Sequence, residues 1–241
     1  MSETPREPTA EERARWTADA HRFEAEARKF NAEASEAEHR AAIALLEREK
    51  AERDHQRAVH ADDYSDHTYR LLSGIDETSV HKCIRQLDAW HRADPESKMT
   101  IVFDSPGGSV VPGFHLFDHI LGLRAEGHEI NTVTRGYAAS MGGILLMAGE
   151  WRTMGPNATL MIHEVSFGAS GKIGDVEDTT EFAKLLWGRA LDIFADRCAS
   201  ASDDTATKRL SRRSIETRSR RTNWWIRAVD ALSYGLVDEI A

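Results

Sequence analysis

The chain has 241 residues, 29% of them charged and 41% hydrophobic, and a formal net charge of −9. That length holds one medium domain with an extension, or two small domains, and it buries a core without staples. The acidic balance argues against general nucleic-acid binding, and the two cysteines, Cys83 and Cys198, lie outside any zinc or disulfide spacing, as suits a reducing compartment.

The opening "MSETPREPTAEERARW" is polar and charged, unlike a signal peptide. No apolar run approaches the roughly 20 residues that cross a bilayer. Residues 1–63 are rich in Ala, Glu and Arg and contain no glycine. Trp16, Ala20, Phe23, Ala27, Phe30, Ala34, Ala37, Ala41 and Ala44 recur at alternating steps of four and three. This is a coiled-coil seam, so a partner-contacting helix is expected, with Thr9 as N-cap and Glu12 as its capping-box partner. Alanine at most seam positions implies a thin contact, or a groove for a bulkier partner. Past Ala44 the phase breaks at Ile43, Leu45 and Leu46, and "HADDYSD" (60–66) reads as a hinge. Two regions follow: a helical extension over 1–63 and a folded domain over 64–241.

From Tyr64 strands and helices alternate. "YRLLSG" is a short strand, and "DETSVHKCIRQLDAWHRAD" is a helix capped by Asp76. "MTIVF" (99–103) is a buried strand, and "SPGGSVVPGFHLFDHILGL" is a turn and then a helix. "INTVTRG" is a strand leading to Ser140, and "ATLMIH" (158–163) is a strand ending in His163. "DVEDTTEFAKLLWGRALDIFADRCA" (175–199) is a long helix, with Phe182, Leu185, Leu186, Ala190, Ile193 and Phe194 as its expected buried face. "AVDALSYGLVDEI" is a short helix, a glycine stop and a last strand. The order points to an α/β fold with helices on a parallel sheet.

Three features converge at strand ends. "DSPGGS" (104–109) offers bare backbone N–H groups and close approach. Ser140, in "RGYAASMGGILLMAG", opens a helix where N–H groups favour developing negative charge. His163 ends the next buried strand. Taken alone, Ser140 reads as a small packing residue and His163 as a structural histidine. Together with the Gly-Gly loop they read as a nucleophile and its base.

"SPGGSV", "GYAASMGGILLMAGE", "GPNATLMIHEV" and "ALSYGLVDEI" resemble, in order and spacing, the successive motifs of the Clp protease proteolytic subunit (ClpP) family of serine peptidases. Phage capsid-maturation proteases of ClpP type are looser relatives. The resemblance covers about 64–241. It implies a ClpP/crotonase-like fold, a repeated β-β-α superhelix with a long handle helix through which rings stack. It implies a serine endopeptidase with polypeptide substrates, assembled as homo-oligomeric rings around a chamber. Ser140 would be the nucleophile, His163 the general base, and the N–H groups of Gly108 and Met141 the oxyanion hole. No cofactor or metal is called for. The implied setting is the cytoplasm of a bacterial or phage-infected cell.

The chain departs from the family at three places. Counting back from Gly235 puts Asn223, in "RTNWWIRAVD", where the family has Asp. An Asn oxygen can accept from His Nδ1–H but cannot stabilise the imidazolium by charge. In a Ser triad an Asp-to-Asn change costs about 10⁴ in kcat when the wrong tautomer is fixed. Asp203, Asp204, Glu216 and Asp230 are other acids nearby in sequence, and Glu164 would face away from His163 if its strand continued. "IHEV" stands where the family has Gln-Pro after the histidine. The helical extension stands in place of the family's short mobile entrance segment, so the family's gating and unfoldase contacts need not transfer. With no phosphate loop in the chain, ATP-driven unfolding would need a separate partner, and the helix is where an AAA+ unfoldase or a scaffold would engage.

Lookalikes carry less. "GASGK" (168–172) lacks the spacing of a phosphate loop and reads as the lead-in to the long helix; on the resemblance it could bind extended peptide. "HLFDH" (115–119) lacks the Glu of a zinc helix. The basic run 208–221 reads as a solvated helix paired with acids, with nucleic acid as the lesser alternative, and Trp224–Trp225 as core or interface filler. The functional readings are a compartmentalised endopeptidase, a weakly active or non-catalytic ring subunit, a capsid-maturation protease, and acyl-CoA chemistry on the same superfamily fold.

Overall fold

The computed structural model describes residues 9–11, 15, 22, 26, 29, 40–51, 66–202 and 204–241. It divides into two units, residues 1–61 and 62–241. In the first, residues 40–51 form a helix whose side chains, Ile43, Leu45 and Leu46 included, are exposed. The seam positions from Trp16 to Ala37 lie outside the described residues.

The second unit is mixed α/β. Strand β1 (Thr68–Leu71) leads to helix α1 (Glu77–Ala93), then β2 (Met99–Ser105), α2 (Val110–Ala125), β3 (Ile130–Ala139) and α3 (Met141–Leu146). Next come β4 (Arg152–Met154), β5 (Thr159–Ile162), α4 (Ile173–Ser200), α5 (Arg212–Ser219), β6 (Trp224–Arg227), α6 (Ala228–Tyr234) and β7 (Glu239–Ile240). Strands β1, β2, β3, β4 and β7 lie side by side in that order, all parallel. β5 pairs with β3 in parallel and with β6 antiparallel.

Local signals explain these elements. Asp76 caps α1, accepting from Ser79 N–H at 2.8 Å while Ser79 Oγ accepts from Asp76 N–H at 3.0 Å. Val80, Cys83, Leu87 and Trp90 form its buried stripe. In β2, Met99, Ile101, Val102 and Phe103 are all buried, as a strand covered on both faces requires. Gly235, at φ 79°, ends α6 in the left-handed region.

The ten-residue β3 is divided between two ladders. Thr132–Thr134 pair with β4, whereas Tyr137–Ala139 pair with β5. A register shift in β2 between Phe103 and Ser105 marks the same bend. β4–β5–α4 is a β-β-α step; upstream each strand is followed directly by a helix.

The buried face of α4 is Ala183, Leu186, Ala190, Leu191, Phe194 and Cys198. Phe182 and Leu185, expected inside, are half exposed at 50% and 51%. Two apolar rows run along this helix, and the core takes only the row stepping through 183, 186, 190 and 194.

Polar groups brace α3, whose six residues are all buried. Arg197 donates to the carbonyls of Met147 at 2.7 Å and Gly149 at 2.6 Å, and Arg124 to that of Ala148 at 2.9 Å. These bonds satisfy carbonyls beyond a helix too short to do so itself. Burial, with Arg152 and Arg124 nearby, pushes the Arg197 guanidinium down to about 10, so it stays charged at neutral pH. Arg152 forms a bidentate pair with Asp238, at 2.8 Å from Nε and 2.6 Å from Nη2, with side chains 3% and 14% exposed. This pair locks β4 to the C-terminal strand. Arg152→Met should therefore lower stability by about 3–5 kcal/mol, because it strands the Asp238 carboxylate. The midpoint of urea unfolding measures this.

Candidate active site

The site is built where β3 ends. Ser140 has φ 55° and ψ −122°, a conformation rare for a residue with a side chain. Its N–H donates to Met161 O at 2.9 Å, and its carbonyl accepts from Gly143 N–H at 3.0 Å. The strand thus turns sharply into α3 and presents Oγ at the outside of the turn, as in a nucleophile elbow. Small neighbours make the turn possible. A Cβ on Gly107 would lie 2.6 Å from Ala139 O, and one on Gly143 2.9 Å from Leu160 Cδ1. The run "AASMGG" therefore serves packing and presentation at once.

His163 directly follows β5. Pairing of Ala139 with Met161 sets the ends of β3 and β5 side by side. His163 Nε2 lies 2.8 Å from Ser140 Oγ. Burial holds the His163 imidazole below its ordinary value of about 6.5. The ring is therefore neutral at pH 7. Its free Nε2 lone pair can take the Ser140 proton, which assigns the other proton to Nδ1.

Gly108 and Met141 flank Ser140 along one pocket of about 70 Å³, which Ile144, Val165 and Trp187 also line. Met141 occupies the first position of α3, where a backbone N–H has no intrahelical acceptor. Ile75 donates to Gly107 O at 2.8 Å and accepts from Ser109 N–H at 2.7 Å. That bridge uses the residues on either side of Gly108 and leaves the Gly108 N–H out of it. Only glycine fits there: φ is 148°, and a Cβ would sit 2.2 Å from Ile75 O.

On the other side of the ring, β5 and β6 run antiparallel, and their last pair is Ile162 with Trp224. One further step sets His163 opposite Asn223. Both border a second pocket, of about 330 Å³, with Glu164, Arg221 and Thr222. Among the described residues, no group accepts from His163 Nδ1, and the Asn223 side chain is exposed and makes no hydrogen bond. Asp230 pairs with Arg227 at 2.9 Å and Glu216 faces Arg212 at 3.8 Å. Asp204 is exposed, and Asp203 lies outside the described residues.

Glu164 corrects the expectation of alternation. The strand stops at Ile162, so Glu164 is not carried to the opposite face. It lines the same pocket as His163, and its Oε2 accepts from Arg221 N–H at 3.0 Å. Sequence reasoning also passed over Val165 and Trp187. Trp187 lies on α4, and nothing in a helical pattern says which row meets the pocket.

The lookalikes resolve simply. "GASGK" runs into α4, which starts at Ile173, and His119 Nε2 lies 3.0 Å from Asp88 Oδ1. No metal-binding cluster of His, Cys, Asp or Glu occurs among the described residues. Arg212 pairs with Asp192 as a solvated basic helix would, and Trp225 is half exposed. No described helix is long and apolar enough to cross a membrane.

The chain is 31% identical to the ATP-dependent Clp protease proteolytic subunit 3 of Streptomyces coelicolor (strain ATCC BAA-471 / A3(2) / M145) over 175 residues, covering 70% of this chain and 73% of that protein. Residues 52–241, which hold the Ser140 elbow, His163 and the Gly-rich loop, match the Clp protease family, and the chain belongs to that family of peptidases.

Proposed function

We propose that the chain is a serine endopeptidase in which Ser140 is the nucleophile, His163 the general base and Asn223 the third member. The 2.8 Å approach of His163 Nε2 to Ser140 Oγ carries this reading. A substrate carbonyl placed against Ser140 is attacked by Oγ as its proton passes to Nε2. The carbonyl oxygen, now an oxyanion, is held by the N–H groups of Gly108 and Met141. The imidazolium then returns the proton to the leaving amine, the C–N bond breaks, and an acyl-Ser140 ester remains. Water, deprotonated by the same ring, releases the acid. The pocket bordered by Val165 and Trp187 receives the side chain on the acyl side.

Family membership supports homo-oligomeric rings with the sites facing a chamber. The outward Phe182 and Leu185 on α4 are apolar surface suited to contact between copies. The relative's name includes ATP dependence; here the ATPase would be a separate AAA+ partner. The helical extension 1–63 would engage that partner or a scaffold, as a capsid-maturation role would also require. Setting and substrate follow the family: polypeptides, in the cytoplasm. Asn223 and the open side of His163 favour a second reading, a weakly active subunit whose main role is structural. Acyl-CoA chemistry would not need the Ser140–His163 pair.

Three outcomes are expected. A fluorophosphonate should label Ser140, and Ser140→Ala should lose both the label and peptide hydrolysis by at least about 10³-fold; full activity in that variant would point to acyl-CoA chemistry. Asn223→Asp should raise kcat by at least about tenfold in a fluorogenic peptide assay, because an anion then stabilises the imidazolium. A ring subunit of purely structural role would show neither labelling nor a response. The kcat/KM profile should fall as pH drops through a midpoint below about 6.5, since only neutral His163 accepts the serine proton and burial lowers its value.

A further inference from the structure

Building on the proposed triad, we propose that Glu164 is a positioning residue, a latch that holds the Arg221–Asn223 arm against His163. Four observations converge. β5 and β6 end at the Ile162–Trp224 pair, so no further ladder bond fixes the arm. The Glu164 carboxylate supplies the bond instead, accepting from Arg221 N–H at 3.0 Å across 57 positions of sequence. Arg221 itself has φ 58°, a left-handed conformation unfavourable for a residue with a side chain, and the turn's own bond, from Thr222 N–H to Ser219 O, is long at 3.5 Å. Asn223 is exposed and makes no hydrogen bond among the described residues, so it has no anchor of its own.

The consequence is geometric. Opposed residues of an antiparallel pair carry side chains on one face, with Cβ atoms about 4.5–5.5 Å apart. Asn223 stands opposite His163 only while the ribbon keeps its register one step beyond the last ladder pair. Glu164, next in chain to His163, is attached to one side of that step and bonds to the other. Without it the arm swings into the open pocket and Asn223 no longer stands opposite His163. Glu164 acts through position and not through its charge, so an amide oxygen at 164 should serve as well.

The test uses the full chain with a fluorogenic peptide. Glu164→Ala should lower kcat about 10- to 100-fold with KM changed less than about twofold, and Glu164→Gln should restore most of the rate. Adding Asn223→Ala to Glu164→Ala should cost little more than either change alone, because both take the Asn223 amide from beside His163. Arg221→Gly, which relieves the left-handed strain, should recover part of the Glu164→Ala loss. An unchanged kcat in Glu164→Ala, a Gln variant as slow as the Ala variant, or fully additive losses would each overturn the latch. Fluorophosphonate labelling of the wild-type chain separates the two proposals: if Ser140 labels and Glu164→Ala is silent, only the latch fails; if Ser140 never labels, the triad itself fails.

Discussion

Everything at the site depends on the divided pairing of β3. Its first half belongs to the main sheet through β4, and its second half belongs to β5. A strand shared between two ladders must bend, and the bend brings β5, with His163 at its end, beside the end of β3. The positive φ at Ser140 is tolerated because Met161 O holds its N–H and small residues surround the turn. A flat sheet of separate strands would leave Ser140 and His163 on neighbouring tips with no common pocket.

The supporting structure keeps that bend rigid. α3 is short and buried, and a six-residue helix cannot satisfy its own terminal carbonyls. Arg124 and Arg197 reach in from α2 and α4 to the carbonyls of Met147, Ala148 and Gly149 just past its end. Charges placed at a helix C-terminus also complement its dipole. Arg152 and Asp238 close the far edge of the same sheet. The elbow is thus held from behind by cations and in front by glycines, while the His163 side is held far less. Past Ile162 the chain leaves regular structure, and the pocket beyond the ring is open.

This asymmetry separates the two halves of the proposed catalytic apparatus. Of the proposed groups, Ser140 and Met141 sit at the turn between β3 and the buried α3, and His163 directly follows β5. The third position lies on an exposed arm between a left-handed Arg221 and the first residue of β6. An Asn there can accept a hydrogen bond yet adds no charge, so it can orient the ring without stabilising an imidazolium electrostatically. On the proposed reading such a site is tunable, its rate set by how well a surface arm is held.

The sequence by itself determined the helices, the sites of turning and the strands other than β4 and β6. Val80, Cys83 and Leu87 at helical spacing, the unbroken run "MTIVF" and the Asp76 cap are local signals, and local signals are written in neighbouring residues. It also singled out Ser140, His163 and the Gly107–Gly108 loop, because strained turns and close approaches admit few residue types. Only the tertiary structure decided which apolar row of α4 is buried, since Phe182 and Leu185 satisfy the helical period as well as Leu186 does. It alone set Trp187 beside the pocket, and it alone turned Glu164 toward Arg221, because the end of a strand depends on what pairs with it. Those choices belong to partners distant in the chain, and spacing along one segment carries no record of them.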